Sequence, residues 1–90
     1  LINSFGNADS IKGEIRFTGF RNLQLAVQLN TAGYDAGDSS VTKKTDILLI
    51  PYAGFNSTKV IKASKNPNTK IIPVQEFIDN SRMYIGIDLK

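Results

Sequence analysis

The chain of 90 residues has no cysteine, no histidine and no tryptophan. Without thiols there are no disulfides and no cysteine nucleophiles, and without imidazoles there is no Ser-His-Asp triad and almost no zinc pattern. Lack of cysteine also fits a reducing compartment. No apolar run approaches the length of a membrane span, and no signal peptide opens the sequence. Neither Gly-x-Gly-x-x-Gly nor Gly-x-x-x-x-Gly-Lys-Ser/Thr occurs, so neither a dinucleotide fold nor a Walker loop is signalled. The chain begins at Leu1 rather than Met, which suggests a piece of a longer protein.

What is present is an ordinary globular composition, 41% apolar and 21% charged, in a length that suits one domain with one core. The net charge of +3 is unevenly spread. Residues 1–40 balance at −1, residues 41–70 hold six lysines against Asp46 alone, and residues 71–90 return to −1. An anionic partner near the middle third, or a merely solvated lysine face, accounts for that excess.

Periodicity divides the chain into strands and helices. Glu14-Ile15-Arg16-Phe17 alternates polar and apolar and predicts a strand ending at Thr18-Gly19. Asn22 is placed to cap a helix whose Leu25, Leu29 and Ala32 share one face, with Gly33 at its left-handed end. A short strand follows over residues 34–37. The run Ile47-Leu48-Leu49-Ile50 suits a central parallel strand buried on both faces. Ser57 then caps a helix with Val60, Ile61 and Ala63, ended by Asn66-Pro67. Ile71-Ile72-Pro73-Val74 reads as an edge strand, because proline cannot donate to a ladder, and residues 75–80 as a last short helix. This order predicts an α/β domain with a mostly parallel sheet over residues 12–82, flanked by residues 1–11 and 83–90.

Phe17-Thr18-Gly19-Phe20, a helix ending at Gly33, and Val41-Thr42-Lys43-Lys44-Thr45-Asp46-Ile47-Leu48-Leu49 together resemble the BRCT domain. Ser57-Thr58-Lys59-Val60-Ile61-Lys62-Ala63 and Ile71-Ile72-Pro73-Val74-Gln75-Glu76-Phe77 continue the resemblance in the correct order. It is closest to the subgroup found in NAD-dependent DNA ligases and the large subunit of the replication factor C clamp loader. Phe77 stands where many members carry tryptophan, Gly33-Tyr34 replaces a Gly-Gly pair, and residues 52–56 depart from the subgroup's glycine-rich loop. The resemblance implies a four-stranded parallel sheet in order 2-1-3-4, with two helices on one face and one on the other.

Ligands of open α/β sheets sit beyond the carboxyl ends of the strands where strand order reverses, here between the first and third strands. Thr18, Gly19, Ser57, Lys59 and Lys62 are the candidate phosphate ligands: a hydroxyl donor, a close backbone approach, a helix start and two cations. The resemblance supports the Thr-Gly pair and Lys59 for that role. Arg21, Lys43 and Lys44 are candidate DNA contacts. Each residue also has an ordinary structural reading, Ser57 as a helix cap above all. Asp35 and Asp38 flank Gly37 and lack a third ligand at metal spacing, so they read as turn residues. The Lys-x-Asp-Gly motif of ligase catalysis is absent.

The expectation is therefore a non-catalytic phosphate-recognition or DNA-binding module without cofactor or metal, from a DNA replication or repair protein such as an NAD-dependent DNA ligase. The alternatives are a phosphopeptide-binding interaction module and a purely structural domain. DNA, as backbone or 5′-phosphate end, is the expected partner, with phosphorylated protein as the alternative and no membrane. An intracellular location follows, the nucleus in a eukaryote or the cytoplasm in a bacterium or virus.

Overall fold

The computed structural model describes residues 11–89, so most of the predicted N-terminal flank lies outside the described residues. The elements run β1 (Glu14–Phe17), α1 (Leu23–Thr31), β2 (Asp35–Gly37), β3 (Thr45–Ile50), α2 (Thr58–Ser64), β4 (Lys70–Pro73), α3 (Val74–Asp79) and α4 (Ser81–Ile85). The strands form one parallel sheet in the order β2-β1-β3-β4. Pro73 closes the edge strand β4 and leads directly into α3.

The caps explain where the helices begin. Asn22 is extended, and its side chain accepts from Leu25 N–H at 3.0 Å. Ser57 is extended too, and its Oγ accepts from Val60 N–H at 3.2 Å. Each cap satisfies a backbone donor that the first helical turn leaves open. At the far end of α1, Gly33 takes φ +102°, a left-handed value that a side chain resists.

The sheet has two unlike faces. Ile15 and Phe17 of β1, Ile47 and Leu49 of β3 and Ile72 of β4 point to one side, where Leu25 and Leu29 of α1 and Phe77 of α3 close on them. On the other side, Leu48 of β3 packs with Ala63 of α2 and with Val41, while Val60 and Ile71 cover the group. Helices α1 and α3 thus share one face and α2 takes the other. Residues 81–89 are packed as well: α4, a fourth helix beyond the three expected, follows α3, and Tyr84, Ile85 and Leu89 lie against the first cluster.

The alternation in β1 has an unexpected outcome on the α2 face. Arg16 is buried, with only 5% of its surface exposed. Its guanidinium donates to Asp35 O at 2.9 Å, to Asp35 Oδ2 at 3.1 Å and to Ser40 O at 3.2 Å, with Glu14 Oε1 at 3.6 Å. Glu14 in turn accepts from the hydroxyls of Thr42 and Thr45 at 2.8 and 3.2 Å. Helix α2 spans β3 and β4, so the same face of β1 is filled by a polar network instead of a helix. A buried charge of this kind requires partners on all sides, and it has them.

Between Glu14 and Ile15 the β1–β3 register shifts by one residue, leaving Asp46 unpaired in the ladder. Its carboxylate accepts from Glu14 N–H at 3.1 Å instead. Gly13 makes room, since a Cβ there would come within 2.4 Å of Asp46 Oδ2. The one acidic residue of the lysine-rich third is committed to this bulge.

Among the described residues, no helix is long and apolar enough to cross a membrane.

Candidate phosphate-binding site

Strand β1 ends at the point where strand order reverses, and Thr18 follows it directly. Thr18 is buried, and its N–H donates to Leu49 O at 3.1 Å, which holds it against β3. Its hydroxyl lies 2.9 Å from the Ser57 hydroxyl at the start of α2. Two hydroxyls 39 positions apart in the sequence thereby share one hydrogen bond, and either can be the donor.

Lys59 completes the group. Its ammonium donates to Phe17 O at 3.0 Å and to Asp38 O at 2.5 Å. The side chain is half-buried. Among the described residues, no carboxylate lies within ion-pair distance of its charge. An ammonium has three N–H donors, so one remains for a ligand after both carbonyls are served. Helix α2 has seven residues, a short run for a dipole, and the cationic character here comes from Lys59 itself.

Gly19 takes φ +79° and is exposed. A Cβ at this position would lie 2.5 Å from Phe55 Cζ, so the ring of Phe55 sits directly on the glycine backbone. Tyr52 meets the same ring edge-on, with centroids 5.6 Å apart. The loop of residues 52–56 thus forms an aromatic wall at the mouth of the site. No local sequence signal marks this wall, because ring placement depends on the backbone around Gly19.

Arg21 is exposed, and its guanidinium pairs with the Asp38 carboxylate at 3.6 Å. Both border a small pocket of about 160 Å³ beside α1, which Phe17 also lines. Asp35 and Asp38, the pair flanking Gly37, are engaged with Arg16 and Arg21 respectively.

Lys62 goes elsewhere. One turn along α2 from Lys59, it is exposed and lines a groove with Lys43, Lys65 and Asn66, away from Thr18 and Ser57. Lys44 is exposed in the turn that precedes β3, where its N–H donates to the Thr42 hydroxyl at 3.0 Å. The predicted residues apart from Lys44 therefore separate into two places. Thr18, Gly19, Ser57 and Lys59 converge with Arg21 nearby, while Lys43 and Lys62 share a second locality.

Compared with known proteins, the chain matches no family model, no curated protein and no solved structure.

Proposed function

We propose that this domain is a non-catalytic phosphate-recognition module of BRCT type that grips DNA by its backbone or a 5′-phosphate end. On this reading it serves a DNA replication or repair protein, and the resemblance favours an NAD-dependent DNA ligase as the parent. The observation that carries the proposal is Lys59, a half-buried cation held by two carbonyls and, among the described residues, in no ion pair with a carboxylate, beside the Thr18–Ser57 hydroxyl pair. Desolvated cations are costly unless compensated, and a phosphate oxygen would supply the missing countercharge.

Duplexes with and without a 5′ phosphate, titrated against wild type and Lys59→Met by fluorescence anisotropy, test the proposal. Losing a charge-assisted contact should weaken binding by about 1.5–3 kcal/mol. Removing the 5′ phosphate should mimic the substitution, and the two losses should not add, because both delete one contact. If Lys59 and Arg21 each meet one phosphate, the slope of log affinity against log salt should lie near about −1.8. Equal affinity of wild type and variant for both duplexes would remove the pocket from the reading.

One observation favours a second, structural reading. Lys59 joins Phe17 of β1, Asp38 beyond β2 and α2, so it also works as a latch across three elements. A latch alone would show as a loss of stability above about 1.5 kcal/mol in Lys59→Met, with phosphate binding unchanged.

A further inference from the structure

A groove of about 450 Å³ lies at the other end of α2 from Lys59. One wall is Val41-Thr42-Lys43 and the other is the end of α2 with the turn beyond it, Lys62, Lys65, Asn66, Pro67 and Asn68. The walls are tied together. Asn66 Nδ2 donates to Thr42 O at 3.2 Å and to Lys43 O at 3.3 Å, and Asn66 Oδ1 accepts from Asn68 N–H at 3.2 Å. Thr69 Oγ1 adds a bond to Thr45 O at 2.6 Å. Such bonds set the groove open before any ligand arrives, which removes part of the ordering cost of binding.

The chemistry of the lining is specific. Pro67 and the lysine stems supply apolar surface, since a lysine lays its methylenes along a wall while its ammonium stays in water. Lys43, Lys62 and Lys65 are exposed and stand around that surface. Among the described residues, none of them is in an ion pair. Asp46, the one acid between residues 41 and 70, is held at the β1–β3 bulge by Glu14 N–H. Among the described residues, no aromatic side chain lines the groove. Bases of single strands bind by stacking on aromatic rings, so this lining does not suit them. Phosphates alone would engage the ammonium groups and leave the apolar surface empty.

We infer that this groove docks an acidic peptide segment of a partner protein, one that sets an aliphatic side chain between carboxylates. The aliphatic group seats against Pro67 and the lysine stems, and the carboxylates meet Lys43, Lys62 and Lys65. This site is separate from the phosphate pocket and does not depend on it.

A short fluorescent peptide alternating glutamate and leucine is the probe, titrated by anisotropy against the whole chain. Wild type should bind it, and Lys62→Gln combined with Lys65→Gln should weaken binding about five- to tenfold, as expected for two partly exposed charge pairs. Replacing leucine by alanine in the peptide should weaken it by a similar factor, because the apolar anchor is lost. Lys59→Met should bind the peptide as wild type does. In an NMR titration, the backbone amides of Thr42, Lys43, Asn66 and Asn68 should shift together. Both lysines are exposed, so circular dichroism should report an unchanged fold in the double variant. Equal binding of the double variant, or equal binding of the alanine peptide, would overturn the inference. So would a single-stranded oligonucleotide that binds more tightly than the peptide and loses affinity through the same two lysines.

Discussion

The face of the sheet beneath α1 and α3 is filled by large apolar side chains, with Phe77, Ile15, Leu29 and Leu49 all removed from solvent. The α2 face has a smaller apolar group of Val41, Leu48 and Ala63, and its remaining area is closed by Arg16 and its partners. Apolar packing is non-directional, but it is dense, so loss of volume is costly. A guanidinium network is directional, and each of its bonds ties a particular backbone carbonyl. The first face therefore supplies most of the stability. The second positions the connection from β2 to β3, which brings Asp38 O against Lys59 and Val41–Lys43 against α2. Both candidate sites lie along the face where packing is thin and polar groups are numerous.

Emptying the apolar face should produce the largest effect. Phe77→Ala removes a fully buried ring and should cost about 3–5 kcal/mol, a large share of the stability of a small domain. Urea unfolding reads this directly, and a cost below about 1 kcal/mol would show that the two faces contribute alike.

Breaking the polar face should cost less. Arg16→Met fills similar space but strands Asp35 O, Ser40 O and the two carboxylates. The expected loss is about 2–3 kcal/mol, moderated because the Asp35 carboxylate is half-exposed and can turn to water. The sharper readout is local. Amide exchange should quicken at residues 35–42 while Leu25 and Leu29 keep their protection, and uniform acceleration would mean that Arg16 supports the whole fold.

The smallest effect concerns α3 and α4. The Tyr84 hydroxyl donates to Glu76 Oε2 at 2.7 Å, and its ring stacks on Phe77 at 5.9 Å. That hydrogen bond, then burial and the charge of Glu76, raise the phenol above its usual 10.0. In the unfolded chain the phenol releases its proton near 10, while the folded chain still holds it. The contribution is therefore complete below pH 10 and declines as pH rises through the folded value. Tyr84→Phe should abolish this component of the alkaline decline in melting temperature, and an unaltered decline would exclude the Tyr84–Glu76 contact as its source.

Much of the fold was legible in the sequence because its signals are local. A capping Asn22, a capping Ser57, the apolar run of β3 and the edge proline each act within a few residues. Residues 83–89 gave no such signal: α4 is a little over one turn, and its apolar residues bind a surface built by distant elements. The candidate site was legible in part. Thr18 and Ser57 lie 39 positions apart and meet because β1 and β3 are neighbours.

By itself the sequence determined the strands, the helices as far as α3, their order and the chemistry available at each turn, since period, capping and strand length depend on short stretches of chain. Tertiary structure alone decided which lysine serves which place. Lys59 and Lys62 are three residues apart on one helix with the same charge, yet one reaches the carbonyls of Phe17 and Asp38 and the other borders the groove of Asn66. It also decided that Arg16, polar in the alternation of β1, would be buried, because α2 lies across β3 and β4 and leaves β1 to be covered by charge. Side-chain direction on a helix follows from its local geometry, but the surroundings it reaches follow from how elements far apart in sequence pack.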